Sequence, residues 1–181
     1  MSDMFHDLPL SNRQRQDEST VTGDWRSAEA DVVRAAHVLL STRSDRDREP
    51  LARSFLNISR LGAVGGDDLA AVADAIAAGG KRRIRDLSRT VTAALALSRD
   101  TGMPIALAPR TSGAVALYLA TSGSFDVRAV VRGHTLRSTD DGWEFGKGPA
   151  MEDTSTRLVA FLCGVSQEPP RLHRPGGRLG A

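Results

Sequence analysis

The sequence predicts an α+β chain: four N-terminal helices followed by a small antiparallel sheet with one packed C-terminal helix. Three observations carry this reading. Apolar residues recur at three- and four-residue spacings from Ala28 to Leu97, the period of amphipathic helices. From Pro104 the apolar runs shorten, partly alternate, and are bounded by Gly, Asp and Pro, the pattern of strands and turns. Leu158, Val159, Phe161 and Leu162 before Gly164 return to the helical period. Hydrophobic residues make up 40% of the 181 residues but aromatic ones only 4%. The core must therefore be built from Ala, Val and Leu, and an Ala-rich face buries less apolar area than a Leu-rich one.

Each element has its own signals. Ser27 stands as an N-cap before the stripe Val32, Ala35, Ala36, Leu39 and Leu40. The charged run 43–49 interrupts that stripe, and Pro50 is expected in the first turn of a second helix carrying Leu51, Phe55, Ile58 and Leu61. Gly62, Gly65 and Gly66 end it. Asp67 or Asp68 caps a third helix with Leu69, Val72, Ala73 and Ile76 on one side, closed by Gly79 and Gly80. A fourth helix runs from about 81 to 98 on Ile84, Leu87, Val91, Ala94 and Leu95, and Thr101, Gly102 and Pro104 stop it. Strands are predicted at 105–108, 114–120, 127–131 and 135–138, a turn at Asp140-Asp141-Gly142, and a returning strand at 143–145. The last helix covers about 154–163. Polar residues 1–24 and the Pro- and Gly-rich stretch 167–181 read as a disordered arm and tail. That leaves a helical region at 25–103 and a small α+β module at 104–166.

Charge and cysteine content narrow the function classes. Lys+Arg number 24 and Asp+Glu 22, a net charge of +2, without the heavy positive load of a dedicated duplex-DNA binder. The single cysteine, Cys163, excludes an internal disulfide framework and a CxxC zinc site. On its apolar helix face it reads as a buried, inert thiol. No apolar run approaches the length of a membrane span, so no membrane partner is expected. Residues 1–22 lack the apolar core of a secretion signal, which predicts a cytoplasmic location.

The most distinctive segment is Gly133-His-Thr-Leu-Arg-Ser-Thr-Asp-Asp-Gly-Trp-Glu-Phe-Gly-Lys-Gly-Pro149. Its Thr139-Asp140, Asp141-Gly142, Trp143 and Gly146-Lys-Gly148-Pro149, with the helix through Leu162 to Gly164, resemble the C-terminal module of the maleylpyruvate-isomerase-like, mycothiol-dependent family. The resemblance covers residues 113–165. In that family it implies a metal held by histidines of an N-terminal helical bundle, with the thiol cofactor beside it. Here the histidines are His6, His37, His134 and His173. His6 and His173 fall in the predicted arm and tail, and His37 has no second histidine at a helical spacing. An open zinc site needs about three converging ligands. Val165 also follows Gly164 where the family continues with Arg. The expectation is a shared small module with no metal, no cofactor and no catalytic residues. A divergent mycothiol-dependent isomerase or transferase using His37 or His134 is the alternative.

Other constellations read structurally. Gly146-Lys147-Gly148 lacks the hydroxyl residue that a phosphate loop places after its lysine, so it predicts a glycine-permitted loop conformation. Asp140-Asp141-Gly142 is turn chemistry, and Glu152-Asp153 suits a helix start. This leaves His134, Arg137, Trp143 and Phe145 as a ligand or partner surface on the sheet–helix module. A second cluster, Lys81, Arg82, Arg83, Arg85 and Arg89, is a candidate nucleic-acid face. Helices three and four would then form a helix-turn-helix with residues 134–145 as a wing. The Ala-rich helical faces predict a homodimer or another protein partner. The function expected is a binding or regulatory module of a cytoplasmic protein.

Overall fold

The stripe beginning near Ala28 folds as α1 (Arg26–Ser41), which buries Ala30, Val33, Ala36 and Leu40. The computed structural model describes residues 23–64 and 68–173. Trp25, rather than Ser27, holds the N-cap position, without a side-chain cap bond. Helix α2 (Asp45–Ser59) contains Pro50 in its interior instead of its first turn. Ser44 takes the extended N-cap conformation, and Asp45 and Asp47 supply the acidic first turn that a helix N-terminus favours. The missing Pro50 N–H therefore costs one bond, to the Arg46 carbonyl. Asp68 caps α3 (Leu69–Ala78), its carboxylate accepting the Ala70 N–H at 2.9 Å.

Helix α4 (Ile84–Thr101) is the axis of the molecule. Leu87, Val91, Ala94 and Leu95 are buried as the stripe predicts, but so are Ser88, Thr90, Ala93 and Leu97. It is enclosed because α1, α2, α5 (Pro109–Ser122) and α7 (Ser155–Leu162) all pack on it. The hydrophobic core runs without a break from α1 through α4 to α7 and the sheet.

Three predicted strands are absent. Residues 114–120 lie in α5 and 127–131 in α6 (Phe125–Val131), while 105–108 has no regular structure. The reason is visible at the start of α5. Pro109 occupies the first helical turn, and Thr111, Ser112, Val115 and Ala116 are the buried positions. That set has helical spacing, and the apparent alternation at 115, 117 and 119 was the wrong period. Six helices therefore precede the sheet. No single helix among the described residues is long and apolar enough to cross a membrane; α5 and α6 together pass on length and composition but are bent by 106°.

The sheet has the order β2-β1-β3-β4, from β1 (Thr135–Ser138), β2 (Glu144–Gly146), β3 (Ala150–Asp153) and β4 (Arg171–Leu172). It is mixed, not antiparallel. β1 pairs antiparallel with β2 but parallel with β3, and β3 pairs antiparallel with β4. Residues 147–149 carry the chain from β2 across the start of β1 to β3. This crossing needs glycine. Gly148 sits at φ +116°, and a Cβ there would lie 2.0 Å from the Gly133 carbonyl oxygen. Strand β4 falls within the stretch expected to be disordered from 167, so that expectation is corrected for 167–173: a two-residue strand can add to the open edge of β3. Of the predicted arm at 1–24 and tail at 167–181, residues 1–22 and 174–181 lie outside the described residues.

Candidate functional site

Strand alternation sends the two sets of sheet side chains to opposite faces. Leu136, Ser138 and Met151 are buried on the helix side, and Leu136 pairs directly with Phe145 across β1 and β2. On the other face Arg137 bridges two strands. Its Nε reaches Glu144 Oε2 at 2.6 Å and its Nη1 reaches Glu152 Oε1 at 2.7 Å. Glu152 also accepts His173 Nδ1 at 2.8 Å. The hydrogen bond from His173, together with Arg137, holds the Glu152 carboxyl below its ordinary range. The four residues expected to form one surface are thus divided: Arg137 lies on the outer face within ion pairs, and Phe145 turns inward.

Trp143 ties the hairpin to α5. Its Nε1 donates to Ser112 Oγ at 3.1 Å, and Ser112 Oγ in turn lies 2.5 Å from Asp141 Oδ2. Its ring packs so closely on Gly113 that a Cβ there would sit 3.1 Å from the indole. Trp143 and Phe145 stack, with ring centroids 5.5 Å apart and planes at 20°. Asp140 Oδ1 accepts the Ser155 N–H at 2.7 Å and a hydrogen bond from Ser138 Oγ. Burial pushes its carboxyl up, but these bonds outweigh it and hold the group below the usual range. The Asp-Asp-Gly turn therefore has the structural role the sequence suggests. Glu152 and Asp153, expected at a helix start, instead close β3, and Thr154 is the N-cap of α7.

The Phe145 ring opens onto a cleft of about 590 Å³ between the α5–α6 corner and the β1–β2 pair. Its apolar walls are Leu117 and Ala120 of α5, Phe125 and Ala129 of α6, and Leu136 and Phe145 of the strands. Phe125 is 76% exposed and Leu117 50%, unusual for residues of this size and apolarity. Arg128 and Arg132, one helical turn apart, also line it. Size and lining fall within the usual range of small-molecule sites. Sequence reasoning missed the cleft because it placed 114–120 and 127–131 in strands. The signal that identifies the helices is Pro109 preceding a period-four buried set.

The basic cluster is dispersed in role. Lys81, Arg82 and Arg83 precede α4 rather than opening it. Arg82 forms a two-point ion pair with Glu29, its Nε at 2.7 Å from Oε2 and its Nη2 at 3.0 Å from Oε1. Glu29 is fully buried and also accepts Thr90 Oγ1. Arg89 pairs with Asp86 at 3.5 Å, while Lys81, Arg83 and Arg85 are exposed. Helix α3 packs along α1, and α4 packs on α1 and α2, so α3 and α4 do not form the expected reader pair.

The described histidines are apart. His37 is exposed on α1, 3.9 Å from Asp68. His134 precedes β1, with its Nδ1 buried and unbonded among the described residues. His173 is on the sheet edge, and His6 lies outside the described residues. Among the described residues, no three His, Cys, Asp or Glu side chains are grouped to hold a metal ion. Burial pushes the Cys163 thiol up, which disfavours the thiolate. With the fold and the site described, comparison with protein-family models, with curated proteins and with solved structures finds no match to this chain.

Proposed function

We propose that this chain is a cytoplasmic binding or regulatory module whose recognition site is the cleft between the α5–α6 corner and the β1–β2 pair. The observation that carries the reading is the concave apolar surface itself. A space of about 590 Å³ is walled by exposed Phe125 and Leu117 and floored by Leu136 and Phe145. Apolar area left open in this way gains free energy when a ligand covers it. The Trp143 latch to Ser112 fixes the Phe145 wall against α5, so the cleft is preformed and little ordering cost falls on binding.

A neutral apolar dye tests this. Nile red is expected to bind the purified chain saturably at one site, and Ala120→Trp, which fills the cleft, is expected to abolish that binding while the circular dichroism spectrum stays unchanged. Undiminished binding to the filled variant overturns the reading. Burial of the same wall between two copies of the chain would instead appear in sedimentation as a dimer that Ala120→Trp dissociates, and that result also overturns it.

A further inference from the structure

Resting on that cleft, we infer that its ligand is a small free amphiphile: an apolar body carrying one anionic head, a carboxylate or a group of similar charge. The inference comes from the two guanidinium groups at the rim. Arg128 and Arg132 line the same cleft, and neither has an ion-pair or side-chain hydrogen-bond partner among the described residues. Several other arginines have carboxylates close by: Arg34 bonds Asp31 and Asp74, Arg82 bonds Glu29, and Arg137 bonds Glu144 and Glu152. Among the described residues, no carboxylate lines the cleft. Its one hydroxyl, on Thr121, bonds back to the Leu117 and Tyr118 carbonyls. A ligand head entering here therefore meets charged donors and no competing side-chain acceptor.

Guanidinium donors match planar anions, and such charge-assisted bonds are about twice as strong as neutral ones. Arg132 caps the C-terminus of α6, its backbone N–H donating to the Arg128 carbonyl at 3.0 Å, and both side chains line the one cleft. The Leu117–Phe125–Phe145 walls then take the apolar body. A neutral ligand would satisfy only those walls and leave both cations in water. An inorganic anion would satisfy only the rim. The cleft as built uses both halves together.

The test compares decanoate with 1-decanol and acetate on the purified full chain, by calorimetry or by displacement of Nile red at low ionic strength. Decanoate is expected to bind at least tenfold more tightly than 1-decanol, and acetate not at all. Arg128→Gln and Arg132→Gln are each expected to weaken decanoate about tenfold and leave 1-decanol unchanged. Raising the salt concentration should narrow the difference between the two ligands. Equal affinity for decanoate and decanol, or decanoate binding unaffected by both arginine variants, overturns the anionic assignment while the cleft stands. Decanol or dye binding that survives Ala120→Trp overturns the cleft itself. Co-sedimentation with phosphatidylglycerol vesicles without binding of monomeric decanoate overturns the free amphiphile in favour of a membrane surface.

Discussion

Glu29 has none of its surface exposed, and its only cationic partner among the described residues is the Arg82 guanidinium. A buried carboxylate is costly unless paired, and removing one partner leaves the other's desolvation uncompensated. Arg82→Met is therefore expected to lower stability by about 3 kcal/mol, measured by urea unfolding. Glu29→Gln in the same background should recover part of the loss, because the amide carries no charge to strand. This pair also bears on the basic cluster: substituting Arg82 perturbs the α1–α4 contact, so lost nucleic-acid binding in such a variant would report unfolding as readily as a lost contact. Residue identity made Lys81–Arg89 conspicuous in the sequence. It did not reveal that Glu29, 53 positions from Arg82, takes one of those cations inward. The partner of a charge is set by packing, and no spacing rule connects positions so far apart.

Elements with several independent signals were legible. Strand β1 at 135–138 and α7 fall where the sequence placed them, because turn chemistry and apolar period agree there. Where one signal stood alone it misled, as in α5 and α6. The connection from β2 to β3 shows the same limit. Gly146-Lys-Gly148 was legible as a loop needing glycine, but the chain crossing that needs it was not, since parallel pairing of β1 with β3 is a tertiary outcome. Gly148→Ala is expected to destabilise by about 2–3 kcal/mol, since the left-handed conformation and the contact with the Gly133 carbonyl both oppose a Cβ. Thermal unfolding of the variant measures this, and the sheet should be lost before α1–α4.

At the scale of the whole molecule, three carboxylates among the described residues sit below their ordinary range in the fold: Asp24, through the Arg82 backbone N–H; Asp140, through the Ser138 and Ser155 bonds that outweigh its burial; and Glu152, through His173 and Arg137. Each has a lower folded than unfolded pKa, so its contribution is present above the unfolded values and disappears as pH falls through the folded ones. The urea midpoint is expected to hold from neutral pH to about 5 and fall below about 4.3. Asp140→Asn should flatten that fall, and an unchanged acid limb would contradict the assignment. The sequence by itself determined the α+β class, the helical N-terminal half, the hairpin and the last helix, because apolar period and turn residues act between near neighbours. Only the tertiary structure decided which helix is central, which cations are spent on internal carboxylates, and that a corner between α5 and α6 leaves an arginine-rimmed cleft against the sheet. Those outcomes depend on which surfaces meet, and surfaces meet through the packing of distant segments.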